Sequence, residues 1–201
     1  MSTVLLIDGE NFKRKIAAVF HEAGKEKPQW HEYDFKGLLT AVLENITVDR
    51  SVFYFARIKE HLKTREKSKQ LIEDQRLLKN HLTEQAFEVV LSGRVRGQME
   101  GDFQGRETLV FKEKGTDVKI AVDMVILACD HRADTIILGS SDSDLQPAIT
   151  EVKNRSVKCI YLGFEMQPNK GLSYTTDRTI LIRNSEVLKF GVNYQPSEKE
   201  R

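Results

Sequence analysis

Short, continuous apolar runs recur along the chain and restrict its fold strongly. The first run, residues 3–7, is rich in β-branched side chains, and further runs occupy residues 51–56, 87–91, 135–138 and 157–162. Continuous apolar strands are typical of parallel sheets that are buried on both faces. Because helical patterns lie between these runs, the sequence predicts a three-layer α/β fold with a central, mostly parallel sheet.

Residues 92–113 interrupt this alternation. Four glycines separate short alternating segments there: Gly93, Gly97, Gly101 and Gly105. This spacing predicts a hairpin-like excursion from the sheet rather than a core layer. The length of 201 residues suits one compact domain. We therefore predict one domain over residues 1–190 and a polar C-terminal tail over residues 191–201.

Composition excludes several classes of protein. No apolar run approaches the roughly 20 residues that a membrane-spanning helix requires, and the N-terminus lacks the basic start of a signal peptide. The two cysteines, Cys129 and Cys159, are far apart, which excludes a disulfide scaffold and predicts a cytoplasmic protein. The net charge of +1 provides no global attraction for nucleic acid, so such a partner would need a local basic patch.

Acidic residues follow the predicted strands at the same end of the sheet. Asp8 ends the first strand, with Asn11 in the turn that follows it, and Asp142 and Asp144 follow the strand at residues 135–138. Asp117 begins the helix that precedes that strand. In parallel sheets, binding sites form beyond the carboxyl ends of the strands, where the strand order changes direction. We expect these four carboxylates to converge there.

Carboxylates brought this close repel one another unless a cation neutralises them. Their oxygen ligands suit Mg²⁺ or Mn²⁺, and such a site can support phosphodiester hydrolysis. A simpler interpretation is helix capping, which would explain Asp142, Asp144 or Asp117 taken singly. Asp123 lies six residues beyond Asp117, so the two do not share a helix face.

Three motifs resemble those of the NYN domain, in the LabA-like branch of the PIN-like nuclease superfamily. They are DGEN at residues 8–11, KGTDVKIAVD at residues 114–123 and SDSDL at residues 141–145. They occur in the order that this family shows, and the resemblance covers roughly residues 3–183. Three positions depart from the family pattern: Ser141 replaces a usual glycine, Leu145 a usual phenylalanine, and Glu10 a residue that is commonly small.

The resemblance implies a Rossmann-like PIN fold with the strand order 3-2-1-4-5 and metal-dependent ribonuclease activity on single-stranded or structured RNA. The catalytic candidates that it implies are Asp8, Asn11, Asp117, Asp142 and Asp144. The implied ligands of Mg²⁺ or Mn²⁺ are the four aspartates of that set, with Asp123 as a further acid.

Basic residues near the acidic motifs are the candidates for RNA binding. The glycine-rich excursion and its end carry Arg94, Arg96, Arg106, Lys112 and Lys114. Residues 57–81 add eight basic residues against four acidic ones, a pattern that is also typical of a solvated helix face. The aromatic residues Trp30, Tyr33 and Tyr174 are candidates for stacking on bases.

Two other interpretations stay open at this stage. The chain could be a catalytically weak or inactive RNA-binding adaptor that keeps the fold. It could also be a phosphotransfer domain of another family, although the Asp-x-Asp of haloacid dehalogenases and the glutamate of Toprim domains do not match the residues after its first strand. The sequence does not decide between a monomer and a homodimer.

Overall fold

The computed structural model describes residues 2–60, 65–101 and 107–191, with side chains described outside residues 96–113. Within that part the chain forms seven strands and seven α-helices. The strands are β1 (Thr3–Asp8), β2 (Arg50–Arg57), β3 (Glu88–Gly101), β4 (Glu107–Lys114), β5 (Thr135–Gly139), β6 (Lys158–Phe164) and β7 (Arg178–Ile182). The helices are α1 (Gly9–Glu22), α2 (Phe35–Val42), α3 (Arg65–Glu84), α4 (Thr116–Cys129), α5 (Gln146–Asn154), α6 (Lys170–Thr175) and α7 (Asn184–Lys189).

All seven strands form one sheet in the order β4-β3-β2-β1-β5-β6-β7. Every neighbouring pair is parallel except β3 and β4, which pair antiparallel as a hairpin. The parallel strands, counted along the chain, have the order 3-2-1-4-5-6. This confirms the predicted three-layer fold, the predicted strand order and the predicted hairpin, and β7 extends the sheet by one edge strand.

The sheet is buried on both faces, as its continuous apolar strands predict. On β1, Leu5 and Ile7 face one apolar cluster, and Val4 and Leu6 face the other. The first cluster contains residues of α1, α2, α3 and α7, and the second contains residues of α4, α5 and α6. Each face is therefore covered by one layer of helices.

Two helix predictions need correction. The charge-rich sequence from about residue 58 to residue 83 predicts one long helix, but residues 58–60 are not helical and the described helix α3 begins at Arg65. The sequence over residues 144–154 also predicts a helix, which begins as a 3-10 turn over Ser143–Leu145 before α5 continues from Gln146. No helix in the described ranges is long and apolar enough to cross a membrane.

Candidate functional site

The direction of the chain through the sheet reverses at β1. From β1 the chain proceeds outward through β2 and β3, and it later returns to place β5 on the other side of β1. The carboxyl ends of β1 and β5 therefore border the crevice in which parallel α/β sheets bind their ligands. Asp8 is the last residue of β1, and residues 140–143 directly follow β5.

Asp8 is a half-buried carboxylate that starts α1. Its Oδ1 accepts a hydrogen bond of 3.0 Å from the Asn11 N–H, which satisfies one of the free donors at the start of the helix. Burial raises the pKa of Asp8 above its usual value, and the carboxylates of Asp142 and Glu10 raise it further. The bond from Asn11 and the charge of Arg14 act in the opposite direction.

Asn11 ties α1 to the segment that follows β5. Its Oδ1 accepts hydrogen bonds from the Ser141 hydroxyl at 2.7 Å and from the Ser141 N–H at 3.2 Å. The Asn169 side chain caps α6 through its Oδ1, and its Nδ2 donates a hydrogen bond of 2.9 Å to the Ser141 carbonyl. These bonds fix the backbone directly before Asp142. Serine replaces the family's usual glycine at position 141, and its hydroxyl supplies the shorter of the two bonds to Asn11.

Asp142 and Asp144 lie on the same short turn but in different environments. Asp142 is half-buried, and its Oδ1 accepts a hydrogen bond of 3.0 Å from the Asp144 N–H. The predicted capping role is therefore correct for Asp142, which caps the 3-10 turn. The Asp144 side chain is exposed to solvent.

Asp117 and Asp123 belong to α4, which contacts the turn at Ser143–Leu145. Asp117 is half-buried in the first turn but does not cap the helix, because Gly115 occupies the cap position with a φ of 91°. A positive φ of this kind favours glycine, which explains the glycine of the KGTD segment. Asp123 accepts hydrogen bonds from the Tyr54 hydroxyl at 2.9 Å and from Lys119 at 2.6 Å, so its carboxylate is already paired.

The acidic pair fits a divalent cation in its chemistry. Asp8 and Asp142 supply hard oxygen donors, and a cation would relieve the repulsion and the burial cost that raise the pKa of Asp8. Among the described side chains, no three His, Cys, Asp or Glu residues lie close enough together to hold a metal ion. The expectation that Asp8, Asp117, Asp142 and Asp144 converge in one cluster is therefore not met. A cation at Asp8 and Asp142 would take its other ligands from water and substrate phosphate, as Mg²⁺ commonly does in proteins.

Basic residues of α1 border this crevice. An open cavity of about 520 Å³ is lined by Asn11, Arg14, Lys15, Ser141, Asp142, Ser143, Gln167 and Asn169. Arg14 is exposed, and its charge lowers the pKa of Asp8. Arg14 and Lys15 are not among the residues predicted from the sequence, although their spacing of three and four residues from Asn11 places them one turn above it on the same side of the helix.

A row of cations crosses the other half of the sheet. Backbone register pairs Arg57 of β2 with Arg94 of β3, and Arg94 with Lys114 of β4. All three side chains are exposed, and none forms an ion pair with a described carboxylate. Like charges that lie opposite each other destabilise a sheet, so a bound polyanion would relieve this arrangement.

Three of the predicted RNA-binding side chains lie outside the part of the chain that the structure describes. Arg106 lies outside the described residues, and the side chains of Arg96 and Lys112 are likewise outside them. Of the aromatic candidates, Tyr33 is buried and donates a hydrogen bond to the Val187 carbonyl, so its predicted stacking role is wrong. Tyr174 is 93% exposed, and Trp30 is half-buried.

Comparison with known families agrees with this geometry. The NYN domain profile matches residues 2–183. The chain belongs to the NYN domain family. That membership places it among the PIN-like nucleases as a family, whose members are typically metal-dependent.

The fold of this NYN domain also resembles a solved structure. A protein of unknown function, VPA0982, from Vibrio parahaemolyticus superposes with a TM-score of 0.57 at 20% sequence identity. The match covers 90% of this chain and 92% of the other. At this identity the likeness concerns the fold alone. A search of curated proteins finds no significant match.

Proposed function

We propose that this NYN domain is a divalent-metal-dependent ribonuclease that hydrolyses RNA phosphodiester bonds. One observation carries the proposal: the two carboxylates Asp8 and Asp142 lie within electrostatic influence of each other at the reversal point of the sheet. Paired carboxylates at such a crevice are suited to a cation that also binds a substrate phosphate.

In this proposal Asp8 and Asp142 hold Mg²⁺ or Mn²⁺. Such an ion, when bound, activates water at neutral pH and stabilises the charge that develops on a phosphoryl oxygen. The hydrogen bonds between Asn11 and Ser141 keep the two strand ends in a fixed relative position. Positions held in this way lower the cost of organising the transition state.

The other acids have supporting roles in the proposal. Asp144 lies beside Asp142 on the same turn, and Asp117 begins the helix that contacts this turn. Both remain candidates for metal and catalytic roles. Asp123 remains a candidate acid, although its bonds to Tyr54 and Lys119 favour a role in holding α4 against the sheet.

RNA is the proposed partner because two groups of cations lie near the acidic residues and along the neighbouring strands. Arg14 and Lys15 line its cavity, and Arg57, Arg94 and Lys114 form the row across β2, β3 and β4. Cations of this kind contact phosphates without reading sequence. RNA contacts by Arg96, Arg106 and Lys112 stay predictions.

Cleavage of labelled single-stranded RNA, with Mn²⁺ or with a chelator, tests the proposal directly. We expect cleavage that requires the metal and that falls by about two or more orders of magnitude in Asp142→Asn, because the variant loses a charged donor. Asp130→Asn is the matched control, since Asp130 is an exposed aspartate at the far end of α4. Equal activity of wild type and Asp142→Asn would refute the ribonuclease assignment.

A second candidate is an RNA-binding adaptor with little or no catalysis. One observation favours it: among the described side chains, Asp117 and Asp144 do not join Asp8 and Asp142 in a cluster of three or more potential metal ligands. RNA binding that persists in a chelator, with no cleavage of RNA under any metal condition, would support the adaptor.

We also propose that the chain belongs to the LabA-like branch, that the protein is cytoplasmic and forms a homodimer, and that one domain over residues 1–190 is followed by a polar tail. Within the predicted tail, residues 192–201 lie outside the described residues.

A further inference from the structure

A second cavity, which we call the aromatic groove, lies beside the acidic crevice. Its volume is about 490 Å³, within the range of pockets that hold small organic ligands. Its apolar lining comes from Phe55, Ala56, Ile58, Leu71, Leu78 and Val95, and Trp30 adds a further aromatic ring. The groove thus lies between α1, α3 and the ends of β2 and β3.

Trp30 is held in place by a cation. The Lys13 ammonium lies 5.5 Å from the ring centroids of both Trp30 and Phe55, and Glu10 binds the same ammonium at 2.8 Å. Trp30 also packs against the apolar cluster of α1 and α2. An aromatic ring fixed in this way presents a stacking surface at low entropic cost.

The charged residues of the groove favour an anionic ligand. Arg14 and Lys27 are exposed and line the groove, and neither forms an ion pair with a described carboxylate. Of its two acids, Glu10 is paired with Lys13, whereas Asp74 accepts a hydrogen bond of 2.8 Å from the neutral Gln70 amide and keeps its charge. The lining therefore carries three cations, Lys13, Arg14 and Lys27, against two carboxylates. A ligand with a flat ring and a phosphate matches this combination.

Arg14 joins the groove to the acidic crevice, because it lines both cavities. We propose that the aromatic groove binds one unpaired nucleobase of an RNA strand, stacked on Trp30, while Arg14 and Lys27 contact its phosphates. The inference rests on the proposed function for the identity of the nucleic acid. The proposed substrate is therefore single-stranded next to the site of cleavage, because a paired base cannot leave its duplex without an unstacking cost.

The single tryptophan of the sequence makes the groove observable without catalysis. We would titrate the full-length protein in a chelator with a single-stranded RNA of roughly ten nucleotides and follow tryptophan fluorescence. We expect saturable quenching by the single strand and at least about tenfold weaker quenching by a duplex of the same sequence. RNA binding detected by anisotropy without any change in tryptophan fluorescence would overturn the inference, as would equal quenching by the duplex.

Charge variants test the phosphate contacts independently of Trp30. Lys27→Ala should weaken binding of the single strand about threefold to tenfold. Lys158→Ala should not, because this exposed lysine starts β6, which lies on the other side of β1 from β2 and β3. An equal loss in both variants would indicate nonspecific attraction and contradict the groove.

The outcomes separate the two proposals. Quenching without metal-dependent cleavage would leave the groove in place and remove the ribonuclease assignment. Metal-dependent cleavage without quenching would keep the ribonuclease assignment and remove the groove. Trp30→Phe, which keeps an aromatic ring, should bind RNA more tightly than Trp30→Ala, and equal affinities of the two variants in their folded state would count against stacking.

Discussion

The ionised Asp8 carboxylate, which serves the proposed site, lowers the stability of the folded protein. Its carboxylate is partly buried beside Asp142, and burial and this neighbour raise its pKa. A carboxyl whose pKa is higher in the folded than in the unfolded state destabilises the fold at every pH above its folded pKa. That cost diminishes as the pH falls through the folded pKa, and it is absent below the usual value of 3.8.

We therefore expect Asp8→Asn to raise the melting temperature of the metal-free protein at pH 7 while abolishing cleavage. Asparagine keeps the helix cap that Asp8 provides, and each kcal/mol gained corresponds to about 2–4 °C in a chain of this size. Thermal melts in a chelator at pH 7 and at about pH 4 measure the effect, and the gain should shrink at the lower pH. A melting temperature that falls at pH 7 would show that the Asp8 charge is stabilising.

The sequence predicts some members of the site much better than others. Asp8 and Asp142 directly follow buried strands, so their position at one edge of the sheet follows from a local pattern. Asn169 holds the Ser141 carbonyl from a loop 28 residues further along the chain. Nothing in the neighbouring sequence of Asn169 indicates this contact, because it depends on how β6 and α6 pack after folding.

Gly9, the first residue of α1, is required by a close approach rather than by an unusual backbone angle. A Cβ built there would lie 2.2 Å from two ring carbons of Phe55, which is itself buried. Gly9→Ala should therefore destabilise the fold by about 1–3 kcal/mol, as overpacking of a core does. Denaturant unfolding measures the loss.

A double-mutant cycle with Phe55→Leu identifies the cause of that loss. Leucine removes the ring carbons that the new methyl group would meet, so Gly9→Ala should cost less in the Phe55→Leu background. An unchanged cost would indicate that the methyl group acts on the start of the helix instead.

The helices show why amphipathic pattern alone does not determine burial. Helix α4 is apolar almost all around: Ile120 and Met124 are buried, whereas Val118, Val122 and Ile126 are 60%, 46% and 42% exposed. Its sequence predicts a helix but does not select the buried face. Helix α3 has the opposite pattern, with Leu78 and Leu82 buried and most of its other residues exposed, and its buried face is predictable.

The alternation of strands and helices predicts a parallel sheet, and the family resemblance implies the order of its first five strands. The apolar, β-branched residues 179–182 predict a short edge strand, which β7 confirms, but they do not indicate which strand it pairs with. β7 adds to the edge by pairing with β6, from Ile160–Arg178 to Phe164–Ile182. A short edge strand gains most of its stability from such pairing, and sequence propensity carries little of that information.

Metal binding should appear as stability of the complete fold. A cation that binds only the folded protein stabilises it by about 2.7 kcal/mol at a concentration one hundred times its Kd. We expect Mg²⁺ or Mn²⁺ to raise the melting temperature of the wild type, and Asp142→Asn to reduce this shift strongly. The shift should be unchanged in Asp130→Asn. Equal shifts in all three proteins would indicate that the ion binds elsewhere.

Because the net charge is nearly neutral, the salt dependence of RNA binding reports the number of phosphate contacts. The chain has 31 basic and 30 acidic residues, so no strong global field adds to the salt dependence of binding. Each phosphate that a cation neutralises on a single strand contributes about −0.7 to the slope of log K against log salt. If Arg14, Lys27 and the row of Arg57, Arg94 and Lys114 each contact one phosphate, we expect a slope of about −3.5.

Arg94→Ala distinguishes these local contacts from general attraction. Arg94 lies between two other cations in the row, so its removal should make the slope less negative by about 0.7 and weaken binding similarly for different RNA sequences. The fold should be equally stable or slightly more stable, because like charges opposite each other in a sheet repel. Lys158→Ala removes the same charge from β6 on the other side of β1. A matching change of slope in that variant would mean that RNA does not bind through the row.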